Sequence, residues 1–346
     1  MKTFNKRLDA HIDDSAIRIH GLGTKEAVLA LVRSFRKFER KGRVGFDHGA
    51  LYGVSFFLLA ITVSAWLASW AWTDSVSDLS AFELTVLLLL NAAVVVAPLC
   101  LASDKSGRLN ALSEQIARKW LWLEHGLQER TPIATQLWSR WFVSFGEFSQ
   151  GDEKPDLTSC IGGFYAGPEH QFDYIYYTFE FTVVRGVDKL HPAASDLASA
   201  AIRTVQKRYG IVCDFPYARG VAVVGGGGEF KYPARWKTSS PGFNARFRVY
   251  AESEQAAARF LTPAVVLAIE SAAPALPKLN LEINREGKLC LSFDKDLLEP
   301  TRNASLIRPG RFEFRLQNDK QAPSLTQALQ LIHTLLKYSD NNFESV

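Results

Sequence analysis

Two long stretches without a formal charge constrain this 346-residue chain more than any other feature. No residue from Tyr52 to Trp72 is charged, and from Leu84 to Ala102 the one strongly polar residue is Asn91. At about 1.5 Å of rise per residue, each is long enough to cross the roughly 30 Å hydrocarbon core of a bilayer. The expected fold is therefore α+β with a two-helix transmembrane hairpin, spans 52–72 and 84–102, followed by a cytoplasmic helical neck and a mixed α+β domain. A cleaved signal peptide is not expected, because about 50 residues rich in charge precede the first run.

Charge placement orients the hairpin. Residues 1–49 carry a net +5, residues 50–102 a net −3 and residues 103–146 a net +2, while 147–346 balance. Arg33, Arg36, Lys37, Arg40, Lys41 and Arg43 precede the first run, and Lys105, Arg108, Arg118 and Lys119 follow the second. The loop between holds Asp74 and Asp78 with no Lys or Arg. The positive-inside rule then predicts a multi-pass protein with both termini in the cytoplasm. The lipid bilayer is the expected partner. Ala60, Ser64 and Ala68 form a small-residue stripe, expected to pack on the other span or on a second copy. Nucleic acid is not an expected partner, since residues 147–346 have no excess of the basic side chains that neutralise phosphates.

The domain plan that follows has an N-terminal cytoplasmic segment (1–49), the hairpin (50–102), the neck (103–146) and the α+β domain (147–346). Thr24 to Arg40 reads as an amphipathic helix with Val28, Leu31, Val32, Phe35 and Phe38 on one face. Leu109, Leu112, Ile116, Trp120, Leu123 and Leu127 recur at three and four, as a packing seam does. Thr131-Pro132 opens a further helix through Phe145. In the last domain, strands are expected at Ser159–Tyr165, Gln171–Val184, Gly220–Val224, Glu229–Tyr232, Phe243–Tyr250 and Phe312–Leu316. The runs Leu279–Asn284 and Lys288–Phe293 flank Arg285-Glu286-Gly287 as a hairpin. Helices are expected at Pro192–Tyr209, Ser253–Phe260, Thr262–Ala272 and from Ser324.

Catalytic, cofactor and metal motifs are not found. Cys100, Cys160, Cys213 and Cys290 form no CxxC, and the seven histidines have no ligand spacing. His170 with Glu169 and Asp173 reads as turn residues in preference to a metal or base site. Gly225-Gly226-Gly227-Gly228 lacks the Gly-Lys-Ser/Thr that opens a phosphate-binding helix, and reads as a hairpin loop. Phe145-Gly146-Glu147 is like a fragment of cyclic-nucleotide pockets but no arginine cassette follows it. Arg246, Arg248 and Arg259 are the candidates for an anion site, with Arg246 and Arg248 on one strand face.

The segment Phe247 to Ala264, with Tyr250, Ala258, Arg259, Leu261, Thr262 and Pro263, resembles the signature F-x-V-Y-S-x-D-x-x-E-A-R-Y-L-L-T-P of a family of two-pass bacterial membrane proteins (domain of unknown function 3137). Glu254 stands where that family has Asp, and Ala257 where it tends to have Glu. The resemblance implies a bacterial inner-membrane location and two membrane helices before a soluble α+β domain; it supplies no activity. The expected function is a two-pass integral membrane protein presenting a cytoplasmic binding, scaffold or sensor domain, not an enzyme. The alternative is a ligand-gated membrane effector that oligomerises through its spans and disrupts the bilayer.

Overall fold

The structure is a computed structural model that describes residues 2–46, 56, 57, 60, 63, 64, 107–130, 134–185, 202–300, 304–319 and 322–340. The chain divides into two compact units, one of Met1–Trp120 with Pro300–Gln321 and one of Leu121–Glu299 with Ala322–Val346.

The membrane expectation is corrected here. Among the described residues no helix is long and apolar enough to cross a membrane. Of the two expected spans only Phe56, Phe57, Ala60, Val63 and Ser64 are described, all helical; the rest of both runs, Ala68 included, lies outside the described residues. The transmembrane hairpin, the two-pass function, its effector alternative and the multi-pass inner-membrane location are therefore set aside.

The first unit is helical. Helix α1 (Lys2–Arg18) is followed by α2 (Lys25–Ser34). Thr24 starts α2, its hydroxyl accepting the Ala27 N–H at 3.2 Å. Val28, Leu31 and Val32 are buried as the helical period requires, and Phe35 and Phe38 continue that face in a 3-10 turn. Strands β1 (Glu39–Arg40) and β2 (Arg43–Val44) form a short ribbon. A helix over 107–124, α3, buries Leu109, Leu112, Ile116 and Trp120. In this unit Arg108 binds Asp9 at 2.6 Å and Asp13 at 2.5 Å.

The second unit is built on a sheet of nine strands among the described residues, every pair antiparallel. The strands are β3 (Gln128–Glu129), β4 (Glu153–Ala166), β5 (Gln171–Arg185), β6 (Ile202–Asp214), β7 (Val221–Val224), β8 (Ala234–Trp236), β9 (Arg248–Ala251), β10 (Asn280–Ile283) and β11 (Lys288–Phe293). Their spatial order is β3-β4-β5-β6-β11-β10-β7-β9-β8. Both faces are covered, which the period of two in β5 makes visible. Phe172, Tyr174 and Tyr176 join the core containing Val265, Ile269, Leu325 and Leu329. Tyr177, Phe179 and Phe181 point the other way, onto Trp141, Phe145 and Phe148. The latter three come from helix α4 (Ala134–Ser144) and the residues just after it.

Several expected elements change type. Residues 202–209, expected in a helix, belong to β6, where Lys207 pairs with Glu180 of β5 at 2.5 Å across the ladder and Arg203 reaches Glu153 of β4 at 3.1 Å. Phe243 to Arg246 is not a strand, because Ser240 caps helix α5 (Pro241–Arg246) with Pro at its first turn. The caps Ser253 and Thr262 open α6 (Glu254–Phe260) and α7 (Pro263–Ala272). Residues 229–232 are irregular, and the strand forms two residues later. Phe312–Leu316 lies in helix α8 (Pro309–Asn318), part of the first unit. The last helix, α9 (Pro323–Asp340), starts one residue before Ser324.

Candidate functional site

A glycine pair on β4 lets two side chains approach the bare backbone. A Cβ at Gly162 would come within 3.0 Å of the Arg130 side chain, and one at Gly163 within 2.4 Å of the Tyr174 ring. The Arg130 N–H donates to the Cys160 carbonyl at 2.8 Å, which fixes the arginine beside this floor. The groove above has a volume of about 510 Å³ and runs between α4 and the ends of β3, β4, β5, β6 and β11. Its walls are Leu137 and Trp141 of α4, with Phe164 at its mouth, 52% exposed.

Three cations line the groove against two carboxylates. Lys288 pairs with Asp214, and Arg140 pairs with Glu286 at 2.8 Å. Arg130 makes no ion pair among the described residues. Asp173, the second acid, lies across the groove from it on β5. Cys213 also borders the groove, but burial pushes its thiol well above the usual range, so it is no thiolate nucleophile. Neither histidine nor serine is part of the lining among the described residues. The arrangement can hold an anion and a flat body against it.

Behind α4 the same sheet face carries a buried polar network. Arg208 on β6 donates to Glu147 through Nε at 2.7 Å, to Asp294 at 2.5 Å, to the Ser292 hydroxyl at 3.1 Å and to the Lys278 carbonyl at 3.2 Å. Burial alone would lower the Arg208 pKa, but Glu147 and Asp294 outweigh it and raise it. Asn280 donates to Glu147 at 2.8 Å and accepts from the Gly225 and Gly226 N–H groups at 3.1 and 2.7 Å. Those two N–H groups are consumed inside the fold and are not offered to a ligand.

One step along β10, Glu282 accepts the Tyr232 hydroxyl at 2.9 Å and the Gly146 N–H at 2.8 Å. Burial, with the nearby Glu147 charge opposing ionisation, lifts its carboxyl to about 7. It borders a second cavity of about 310 Å³ at the other end of α4.

The arginines expected as an anion site do not converge. Arg246 ends α5 and Arg248 opens β9, both exposed, while Arg259 on α6 borders a third cavity, of about 280 Å³, with Arg219 and Tyr217. The family-like residues have structural work. Leu261 N–H bonds the Ala257 carbonyl at 2.8 Å to close α6, Thr262 and Pro263 start α7, and Arg235 lies 5.6 Å from the Tyr250 ring. Ala258 sits exposed on α6. His170 lies in the β4–β5 turn beside His333 and 3.7 Å from Asp340, with Glu169 bound to Lys337 at 2.6 Å. Asp173 is on the opposite sheet face, so that trio is not assembled. No group able to hold a metal occurs among the described residues.

Comparison with known proteins found no matching family model, no matching curated protein and no matching solved structure. Asp173 and Glu147 figure in the sequence patterns above, but Arg130, Arg140, Arg208, Asn280 and Glu282 do not. Arg208 was hidden in an expected helix, and Asn280 and Glu282 alternate with Leu279, Leu281 and Ile283 as a solvated strand face would. Arg130 and Arg140 carried no motif; their only signal is the Gly162-Gly163 pair opposite.

Proposed function

We propose that the sheet-bearing unit is a binding domain for a small organic anion, a phosphate or carboxylate on a flat body, seated in the groove under α4. The observation that carries this reading is Arg130, held against the glycine floor with no ion-pair partner among the described residues, at the edge of a cavity of about 510 Å³. Cavities of this size suit small ligands. The Phe164 ring, 52% exposed, offers the flat body a surface, with Leu137 beside it, and Arg140 sits in an exposed pair with Glu286, 59% and 47% exposed, that is worth little and is readily exchanged for a ligand. The reading is one of binding without turnover, and the protonated Cys213 thiol fits it.

The test is titration calorimetry with 4-methylumbelliferyl phosphate, a planar aromatic phosphate, and with 4-methylumbelliferone as its uncharged control. The phosphate is expected to bind and the control to bind far more weakly. Arg130→Ala removes a charge-assisted bond of about 1.5–3 kcal/mol and weakens binding roughly ten- to hundredfold. Equal binding of phosphate and control, or an Arg130→Ala protein that binds like the parent, overturns the reading.

A further inference from the structure

The cavity at the far end of α4 combines a buried acid, an apolar wall and a lysine with no ion-pair partner among the described residues. Glu282 is 3% exposed and accepts from the Tyr232 hydroxyl and the Gly146 and Glu147 N–H groups; a carboxylate has about four acceptor positions, so one is left for a further donor. Phe142, Val143 and Phe145 form the apolar side, and Phe142 and Val143 are 45% and 85% exposed. At the rim Arg285 is held by Glu252 at 2.6 Å and Glu286 by Arg140 at 2.8 Å. Lys231, also at the rim, makes no ion pair among the described residues.

We propose that this cavity binds a zwitterionic aminocarboxylate with an apolar side chain, its ammonium group on Glu282, its carboxylate on Lys231 and its side chain on Phe142 and Val143. The ligand answers both Glu282 and Lys231: a simple amine leaves Lys231 unanswered, and a simple acid meets Glu282 and Glu229. It also ties binding to a proton. Burial holds the Glu282 carboxyl near 7, helped by the Glu147 charge and opposed by the hydrogen bonds from Tyr232 and the Gly146 and Glu147 N–H groups. The other ionisable groups facing this corner are Lys231 and Glu229 on the loop, Arg285 and Glu286 on the β10–β11 turn, and Cys290 on β11, whose thiol burial keeps protonated. Arg208 sits behind Glu147 and stays charged. An arriving ammonium group therefore expels the Glu282 proton to the solvent.

Titration calorimetry with L-phenylalanine, phenethylamine and 3-phenylpropionate reads both halves of the proposal. Phenylalanine is expected to bind, with affinity rising about tenfold per pH unit from pH 5 to 6.5 and levelling above 7, as release of one proton requires. Phenethylamine should bind roughly tenfold more weakly and 3-phenylpropionate not at all. Glu282→Gln should abolish the pH dependence. Should that variant fail to fold, the rim variant Lys231→Ala still decides, because it should reduce phenylalanine to the affinity of phenethylamine and leave phenethylamine unchanged. Arg130→Ala, in the other cavity, should not alter phenylalanine binding, so failure of one site is distinguishable from failure of the other. Absence of phenylalanine binding, an affinity indifferent to pH between 5 and 7, or 3-phenylpropionate binding as tightly as phenylalanine overturns the proposal.

Discussion

Arg208 shows what a charged side chain costs and returns inside this sheet. It is 3% exposed, and Nε and both terminal nitrogens are bonded to Glu147, Asp294, Ser292 and the Lys278 carbonyl. A buried pair is weak evidence of net stabilisation, but removing one member strands the other. Arg208→Met leaves Glu147, 1% exposed, without its counter-ion. It should lower stability by about 3–5 kcal/mol in urea unfolding at pH 7. Glu282 is the opposite case, an acid whose folded-state pKa is raised from 4.5 to about 7. Between those values the folded chain holds a proton that the unfolded chain has released, so stability falls as pH rises through that window. Its contribution amounts to up to about 3 kcal/mol at 1.4 kcal/mol per pH unit. In Glu282→Gln, unfolding midpoints measured from pH 4.5 to 8 should lose that downward slope. Neither residue was legible in the chain. Asn280, Glu282 and Asn284 alternate with Leu281 and Ile283, which is the pattern of a strand wet on one side, and nothing local says that α4 and the turn after it cover that side.

Turn and cap chemistry made some elements legible. Arg285-Glu286-Gly287 marks the β10–β11 turn, with Gly287 at a φ of 75°, a left-handed conformation that only glycine adopts cheaply. Ser253 and Thr262-Pro263 mark two helix starts. The period of a short segment is a weaker guide. Phe312, Phe314 and Leu316 alternate like a strand, yet Phe314 is 62% exposed and the buried set is Pro309, Phe312, Glu313 and Leu316, the i, i+3, i+4, i+7 face of a helix. Gly210, the residue after the expected helix Pro192–Tyr209, is the point where β6 meets the Tyr177 ring of β5. A Cβ there would lie 2.5 Å from Tyr177 and 2.6 Å from the Leu291 carbonyl. Gly210→Ala should therefore destabilise by about 1–3 kcal/mol or more through overpacking. Gly227→Ala, whose nearest neighbour would be the Gln150 side chain at 3.3 Å, should change the urea midpoint far less. Equal effects of the two would contradict the register of β5 against β6.

At the scale of the whole molecule, the two uncharged runs suggested an architecture that the described helices do not provide. What accounts for the apolar content elsewhere is a sheet packed on both faces, which needs hydrophobic residues at both phases of its central strands. Two compact units also imply two cooperative blocks. In the first, Glu313 accepts from Arg33 at 2.7 Å and Arg36 at 2.8 Å, tying α8 to the segment around α2. Glu313→Ala should cost about 1 kcal/mol, since both arginines are half exposed. Hydrogen exchange should show the loss in residues 25–34 and leave 171–185 unaltered; slowed or quickened exchange in β5 would mean that the blocks unfold as one. The three described cysteines lie in β4, β6 and β11 and are all buried, with the Cys160 thiol lifted to about 11. With Cys100 changed to serine, an alkylating reagent such as iodoacetamide can reach sulfur only when the strands part. The rate of carbamidomethylation then serves as a clock that counts openings of the sheet.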